Sequence, residues 1–317
     1  MSIETSFVYP GQGSQFVGMG AGLLEERPPL TAVFEHVEAV TGRPLIEPML
    51  HGPEDRLRET GTAQLVLFAF GIAMTEALAE QGIAPELVAG HSLGEFTALV
   101  AGGWLGLDEA AAAVARRADA MARCCRERAG AMTAVLATGP GEVAEVLARY
   151  PGRCDDGRPG TAVIANYNAP RQTVISGDAA IVTEIGESIR AEAIGAAEPL
   201  PVAGAFHSPL MRPAEKELTD TIAALPLRRG HTPMVSSITG EPISDLERYR
   251  DALAGQITAP VHWTRTARRI VAHRPRRVVE VGPGTTLCGL IRKIDRRQKA
   301  HSCGDTSNLR ALAGTYA

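Results

Sequence analysis

The sequence predicts an α/β fold in which a smaller subdomain interrupts a largely parallel sheet. Short apolar strands alternate with helical patterns up to about residue 128, and that alternation is typical of a parallel sheet. Between residues 129 and 202 the pattern becomes β-α-β-β-α-β, which is the order of a ferredoxin-like unit. After about residue 205 the first pattern returns. The middle unit is therefore expected to be an insertion.

The first part of the chain contains two apolar strands separated by helical patterns. The predicted elements are a strand at 6–9, helices near 30–41 and 62–81, a strand with a sharp turn at 86–92, and an alanine-rich helix near 108–128. The first strand ends in Pro-Gly-Gln-Gly, a glycine-rich loop.

The middle part is expected to form the small subdomain at 129–202, with the large one at 1–128 and 203–317. Its predicted elements are a strand at 131–137, a helix at 141–150, strands at 161–167 and 172–176, a helix at 179–193 and a strand at 198–202. A cleft between the two subdomains is a natural ligand site.

The last part repeats the alternation of helices and strands. It is predicted to hold a helix at 209–224, a strand at 233–238, helices at 245–257 and 262–273, and a strand at 277–281 that ends in Gly-Pro-Gly before another helix.

Composition excludes several classes of protein. The 317 residues are 45% hydrophobic and 21% charged with a net charge of −4, which indicates a globular chain without an electrostatic preference for nucleic acid or an anionic membrane. The five cysteines form no Cys-x-x-Cys pair, so reduced thiols in a cytoplasmic protein are expected. We find neither a signal peptide nor an apolar run of about 18 residues, so no membrane span is expected.

A Gly-x-Ser-x-Gly sequence at residues 90–94 follows the second apolar strand directly. This pattern is typical of a nucleophile elbow, in which the chain turns sharply from strand to helix and side chains at Gly90 and Gly94 would collide with the turn. The turn would present Ser92 at a helix N-terminus, where free N–H groups can stabilise an oxyanion. Short matches of this kind also arise by chance, and the apolar strand and helix-like run on either side favour the elbow.

A serine nucleophile needs a base, and His207 is the best candidate among the eight histidines. It lies where a predicted strand ends and a helix begins, an edge from which α/β enzymes project catalytic groups. His91 adjoins the serine, but its side chain is expected to point away and support the turn. A packed or solvated histidine is the alternative for each of them.

Four stretches in chain order together resemble the malonyl-CoA:acyl-carrier-protein transacylase family, including the acyltransferases of polyketide synthases. They are residues 6–15 (SFVYPGQGSQ), 90–95 (GHSLGE), 205–211 (AFHSPLM) and 280–284 (EVGPG). The resemblance covers about residues 6–295. It implies an α/β-hydrolase-like core with an inserted ferredoxin-like subdomain.

The resemblance also assigns catalytic roles by position. Ser92 would be the nucleophile and His207 its base, with an oxyanion hole formed by the backbone N–H groups of Gln12 and Leu93. No acidic residue is evident to orient the histidine, and in this family a backbone carbonyl does so. The matching position here is Gln256.

Arg117 is the residue implied to bind the substrate carboxylate, twenty-five positions after Ser92. A planar guanidinium fits a carboxylate bidentately. Ala118 stands where the family usually has glycine, and Arg116 is adjacent, so the register could differ by one residue. A solvated helix arginine is the alternative.

The acyl pocket is expected to include Gln64, His91, Phe206 and Asn166. A phenyl ring at Phe206 would crowd a branched acyl group and disfavour methylmalonyl. For Gln64 and Asn166, and for the nearby Asn168, a structural role is equally open. The Arg- and Lys-rich stretch 265–299 reads as a solvated face, or alternatively as a contact for an acidic partner.

The function implied is transfer of a malonyl group from coenzyme A to the phosphopantetheine thiol of an acyl carrier protein, through an acyl-Ser92 intermediate. Coenzyme A thioester and carrier protein are the expected partners, without a resident cofactor or metal, and a monomer is expected. The arginine-rich composition favours polyketide over fatty acid biosynthesis. Alternatives are transfer of an aminoacyl, peptidyl or other acyl group, a serine hydrolase or editing thioesterase, and a non-catalytic docking module.

Overall fold

Two separate sheets organise the protein in the computed structural model, which describes residues 3–150, 160–202 and 204–315. The strands are β1 Thr5–Tyr9, β2 Leu87–Gly90, β3 Gly130–Leu136, β4 Ala162–Ala169, β5 Gln172–Asp178, β6 Ala196–Pro199, β7 Arg277–Val281 and β8 Ala300–Cys303.

Helices surround both sheets. The α-helices are α1 Ala21–Glu26, α2 Thr31–Thr41, α3 Ile46–His51, α4 Glu54–Arg58, α5 Thr60–Glu80, α6 Gly94–Ala101, α7 Leu107–Glu127, α8 Pro140–Arg149, α9 Ala179–Ala191, α10 Arg212–Ala223, α11 Leu246–Ala254, α12 Trp263–Ala272, α13 Thr286–Ile294 and α14 Thr306–Ala313. Short 3-10 helices occupy Pro28–Leu30 and Pro209–Met211.

The larger sheet is parallel, in the order β2-β1-β7-β8. Its central strand β1 is buried along its whole length. Phe7 and Tyr9 pack into the core cluster with α2, α5 and α7, whereas Val8 packs on the other face with α12 and α13. A parallel sheet covered by helices on both faces explains why these strands are almost continuously apolar.

Helix α5 contains a long apolar stretch that the sequence analysis did not expect. Within the described part of the chain it is the helix that length and composition would allow to cross a bilayer, with a mean hydropathy of 1.5. However, 78% of that apolar window is buried inside the protein. This is the character of a core helix, since most of its apolar window is already buried against other parts of the protein.

The smaller sheet is antiparallel, in the order β4-β5-β3-β6. This is the predicted β-α-β-β-α-β unit. Val135 and Ile175 on one face pack against α8 and α9, whereas Met132, Ala134 and Val174 on the other face join the main core cluster. The sheet therefore turns one face toward the rest of the molecule.

The separation into two sheets supports a division into two subdomains. We propose the bounds 1–128 with 203–317 and 129–202, as the sequence predicted. The strands of the smaller sheet run from Gly130 to Pro199. Position 203 itself lies outside the described residues, as does Cys154, and the other four cysteines are unpaired.

The predicted strand at 233–238 is wrong. This segment makes only isolated bridges, Met234 with Val88 and Val235 with Pro242. It runs beside β2 for two hydrogen bonds, with Val88 N–H donating to the Pro233 carbonyl and Val235 N–H to the Val88 carbonyl. Further along the segment, the Ser237 N–H instead donates to a buried carboxylate described below.

Several short elements were not predicted, because they are too short or lack an apolar pattern. Helices α1, α3 and α4 contain five or six residues each, which is too few to show a helical period. Strand β8 has the sequence Ala-His-Ser-Cys, without apolar alternation, and is specified by pairing with β7. The last strand of the smaller sheet is Ala196–Pro199, two to three residues earlier than the predicted 198–202.

Candidate active site

Ser92 lies on a sharp turn between β2 and α6. Its φ is 54°, in the left-handed region that residues with side chains rarely adopt. A Cβ at Gly90 would approach the Gly94 carbonyl to 1.9 Å, and a Cβ at Gly94 would approach the Tyr9 carbonyl oxygen to 2.1 Å. Both glycines are therefore required by close backbone contacts, and the turn has the geometry of a nucleophile elbow.

His207 faces Ser92 across the site, with its Nε2 2.7 Å from Ser92 Oγ. Its own φ is 57°. The neighbouring Ser208 fixes this turn, because its hydroxyl donates to the Ala205 carbonyl and accepts from the Leu210 N–H. Two elements distant in sequence thus bring a hydroxyl and an imidazole into hydrogen-bond contact.

Two backbone carbonyls orient the imidazole. His207 Nδ1 lies 3.0 Å from the Gln256 carbonyl oxygen and 3.0 Å from that of Ala259. Both are acceptors, so Nδ1 carries the hydrogen and Nε2 offers its lone pair to the Ser92 hydroxyl. The carbonyls do the orienting that an acidic side chain does in many serine enzymes.

The imidazole is neutral in the free protein. Burial, the positive charge of Arg117 and the nearby His91 together lower the pKa of His207 to about 3, although the two carbonyl contacts act to raise it. A neutral ring at ordinary pH can accept the serine proton.

Arg117 reaches the same hydroxyl from helix α7. Its Nη2 donates to Ser92 Oγ at 3.1 Å, its Nη1 to Gln64 Oε1 at 2.5 Å, and its Nε to Gln256 Oε1 at 3.2 Å. Arg116 is exposed and donates weakly to Thr221 on the outside of the helix. Of the two arginines, Arg117 is the one that faces Ser92.

The guanidinium of Arg117 is buried without a counter-ion. Arg117 is only 2% exposed, and its guanidinium donates hydrogen bonds to two side-chain amides and one hydroxyl. Among the described residues no carboxylate pairs with it, and burial lowers its pKa to about 9. Because an unpaired buried charge is costly, this arrangement indicates a site for an anionic group of a ligand.

The backbone N–H groups of Leu93 and Gln12 remain available. Neither donates to any residue in the described ranges. Leu93 precedes the first turn of α6, and Gln12 lies in the glycine-rich loop after β1. A Cβ at Gly11 would come within 2.8 Å of the His91 carbonyl oxygen, so this loop packs directly against the elbow.

A cavity of about 290 Å³ opens beside these groups, between the two sheets. The large subdomain contributes the elbow, the glycine-rich loop, Arg117 and Gln64, and the small sheet contributes Asn166. Phe206 and one face of α13 complete the wall. The expected cleft between subdomains is present.

His91 is held at the edge of this cavity. Its Nε2 lies 2.9 Å from Asn168 Oδ1, and its ring packs at 5.5 Å from that of Trp263. Burial lowers its pKa, which favours the neutral ring. The side chain links the elbow to the small sheet, in keeping with a supporting role.

Comparison with known proteins identifies the family. The model of the acyl transferase domain matches residues 6–309. The chain belongs to the acyl transferase family.

Several known proteins match this acyltransferase over nearly its whole length. It is 33% identical to the malonyl CoA-acyl carrier protein transacylase of Bacillus subtilis over 96% of this chain and 95% of that protein. The solved malonyl-CoA:acyl carrier protein transacylase of Xanthomonas oryzae superposes with a TM-score of 0.93 at 34% identity, covering 99% of both chains. A malonyl-transacylase solved in complex with a type II PKS acyl-carrier protein gives 0.92 at 30% identity, covering 98% of this chain and 99% of that one.

Sequence reasoning missed the support of the elbow in this acyltransferase. The carboxylate of Glu95, fully buried in the first turn of α6, accepts from Ser237 N–H at 3.0 Å, Ser237 Oγ at 2.7 Å and Tyr249 Oη at 3.1 Å. Burial raises its pKa. A glutamate on an otherwise apolar helix was the available signal, because a buried carboxylate requires donors.

The second carbonyl acceptor of His207, from Ala259, was also missed. A backbone group leaves no trace in residue type, so no sequence signal could have identified it. In the described residues no group of three or more His, Cys, Asp or Glu side chains is placed to bind a metal ion.

Proposed function

We propose that this acyltransferase moves a malonyl group from coenzyme A to the phosphopantetheine thiol of an acyl carrier protein, through an ester on Ser92. The observation that carries the proposal is the buried, unpaired Arg117 guanidinium 3.1 Å from Ser92 Oγ. A carboxylate one carbon beyond the reacting carbonyl would supply the missing counter-ion beside the nucleophile.

In the first half-reaction, Ser92 Oγ attacks the thioester carbonyl while its proton passes to His207 Nε2. The Gln256 and Ala259 carbonyls stabilise the imidazolium through Nδ1–H. The oxyanion would bind the free N–H groups of Leu93 and Gln12. The intermediate collapses with cleavage of the C–S bond, and the coenzyme A sulfur leaves with the proton from Nε2.

In the second half-reaction, the carrier-protein thiol attacks the Ser92 ester. His207 now takes the thiol proton and returns it to Ser92 Oγ as the C–O bond breaks. Two exchanges at one site predict ping-pong kinetics.

A polyketide assembly line is the setting we propose. The arginine-rich composition supports it, as does the likeness to the malonyl-transacylase solved with a type II PKS acyl-carrier protein. The carrier protein of that pathway would be the acceptor.

The deciding experiment incubates the protein with malonyl-, acetyl- and aminoacyl-thioesters and measures the intact mass. We expect a malonyl adduct on the wild-type enzyme and none on Ser92→Ala, and transfer of that adduct to a carrier protein. Preferred loading of a neutral or cationic acyl group would contradict the proposal. Rapid release of free malonate without an acceptor thiol would instead show a hydrolase.

A further inference from the structure

The Ser92 hydroxyl has two hydrogen-bond contacts that bear on its reactivity. Ser92 Oγ lies 2.7 Å from His207 Nε2 and accepts from Arg117 Nη2 at 3.1 Å. A hydroxyl has one donor hydrogen and two lone pairs. The hydroxyl donates its hydrogen to His207 Nε2, and one of its lone pairs accepts from the guanidinium of Arg117. Electron density that the oxygen needs for attack is therefore held by a cation.

The remaining bonds of Arg117 restrict how a ligand carboxylate can bind. Its Nε has a single hydrogen, and this is given to Gln256 Oε1 at 3.2 Å. A carboxylate that takes two bonds therefore uses Nη1 and Nη2, each of which carries two hydrogens. It binds at Nη2 next to the Ser92 hydroxyl, and as a charged acceptor it competes with that hydroxyl for the nitrogen.

We propose that the carboxylate of the acyl group releases Ser92 from Arg117, so that the ligand anion activates the nucleophile as well as binding to the site. The inference rests on the proposed function, in which that carboxylate binds Arg117. When no carboxylate is bound, as around a neutral acyl group, the guanidinium stays on the hydroxyl and slows its attack.

Charge supports the geometry. Arg117 is among the groups that lower the pKa of His207, after burial itself. A bound carboxylate cancels this positive charge, so the imidazole accepts the serine proton more readily. An acyl group with a carboxylate is then favoured twice, because it binds more tightly and because it acylates Ser92 faster.

The test supplies the carboxylate separately from the acylating agent. Phenylmethanesulfonyl fluoride is neutral and reacts at the hydroxyl: the Oγ–S bond forms, the S–F bond breaks, and fluoride leaves while His207 takes the proton. Labelling of wild-type enzyme is followed by intact mass with increasing formate, at constant ionic strength set by chloride. We expect formate to raise the rate about tenfold with saturation, the factor for losing one hydrogen bond to a charged group. An unchanged or lowered rate would overturn the inference.

Two variants locate the effect. Arg117→Ala should label at a raised rate without formate and show no further response, whereas the matched control Arg116→Ala should respond as the wild type does, because Arg116 is exposed on the same helix. A formate response that persists in Arg117→Ala would reject the mechanism. If Arg117→Ala fails to fold, as circular dichroism would reveal, the wild-type titration still decides.

Malonyl loading in the same preparations separates this inference from the proposed function. Loading that depends on Arg117 without a formate effect would retain the function and remove the inference. A formate effect without malonyl loading would retain the activation and remove malonyl as the cargo.

Discussion

Ser92 and His207 both adopt left-handed backbone conformations, with φ of 54° and 57°. Such conformations cost free energy in residues with side chains and persist only when the surroundings hold them. Gly90, Gly94 and Ser208 provide those constraints through close contacts and hydrogen bonds. At the scale of single residues, Ser92 and His207 are therefore held in position by these neighbouring groups.

The lowered pKa of His207 gives a prediction for pH dependence. The base must be neutral, and its pKa of about 3 lies below the ordinary value, so acidification through pH 6.5 leaves it able to act. We expect sulfonylation of Ser92 to keep its rate as pH falls through that range and to decline only well below it. In Arg117→Ala the decline should begin at higher pH, because one cause of the lowering is gone. A wild-type rate that halves near pH 6.5 would contradict this.

Gln256 gives a second prediction at this scale, since its side chain and backbone act separately. Its carbonyl orients His207, while its amide accepts from Arg117 Nε and donates to the Ser92 carbonyl oxygen at 3.0 Å. Gln256→Leu keeps the carbonyl, so kcat/KM for malonyl transfer should fall about tenfold, the loss expected for one or two hydrogen bonds. Sulfonylation of Ser92 should change less. Equal losses in both assays would indicate general disruption of the site.

At the scale of elements, the geometry of the elbow depends on how strand β2 and helix α6 pack together. Strand β2 and helix α6 meet so closely that Gly94 touches the Tyr9 backbone of β1. Glu95, one residue later, ties α6 to Ser237 and to Tyr249 of α11. These contacts fix the angle at which the helix leaves the sheet, and with it the position of the Leu93 N–H.

Gly94→Ala tests the packing of these elements. The new Cβ would meet backbone atoms at 2.1 and 2.7 Å, which no side-chain rotation can relieve. We expect the free energy of unfolding to fall by about 3 kcal/mol or more, from the strain of overpacking. Urea denaturation measures it. The control Gly289→Ala adds a Cβ to α13 with no atom within 4 Å, and should stabilise the protein by about 0.5–1 kcal/mol.

The whole molecule decides the shape of the acyl pocket, because the cavity lies between the two sheets. Arg117 comes from α7 of the large subdomain, Asn166 from β4 of the small one, and Phe206 from the segment of the large subdomain that follows β6. Neither subdomain alone lines the cavity. In the proposed reaction, excluding water from the Ser92 ester would therefore depend on how the two pack together.

Phe206→Ala tests the limit on acyl size. The ring is 6% exposed and lines the cavity of about 290 Å³. Its removal should raise methylmalonyl loading relative to malonyl about tenfold, within the ~1–3 kcal/mol that one methyl group is worth in a pocket. Competition between the two thioesters, followed by intact mass, measures the ratio. The control Phe16→Ala removes a ring that is 52% exposed and outside the cavity lining, and an equal change there would reject the explanation.

Some of this protein could be read directly from its residues because the constraints are local. The glycine spacing around Ser92 predicted the elbow, and the apolar patterns predicted seven of the eight strands in the described part of the chain. The site residues Gln12, Gln64, Leu93 and Gln256 came from the resemblance of whole stretches rather than from any pattern of their own. Their roles in catalysis remain predictions.

Tertiary structure alone decided the electrostatics. The sequence left Arg116 and Arg117 open, and only packing turns one outward and buries the other without a counter-ion. Tertiary contacts also explain why residues 233–238 do not form the predicted strand. The segment makes only isolated bridges, and its Ser237 N–H donates to Glu95. The reason is physical: patterns among neighbouring residues specify the backbone conformation and the apolar face of each helix or strand. The charge state of a buried group depends instead on neighbours from distant elements, which no local spacing records.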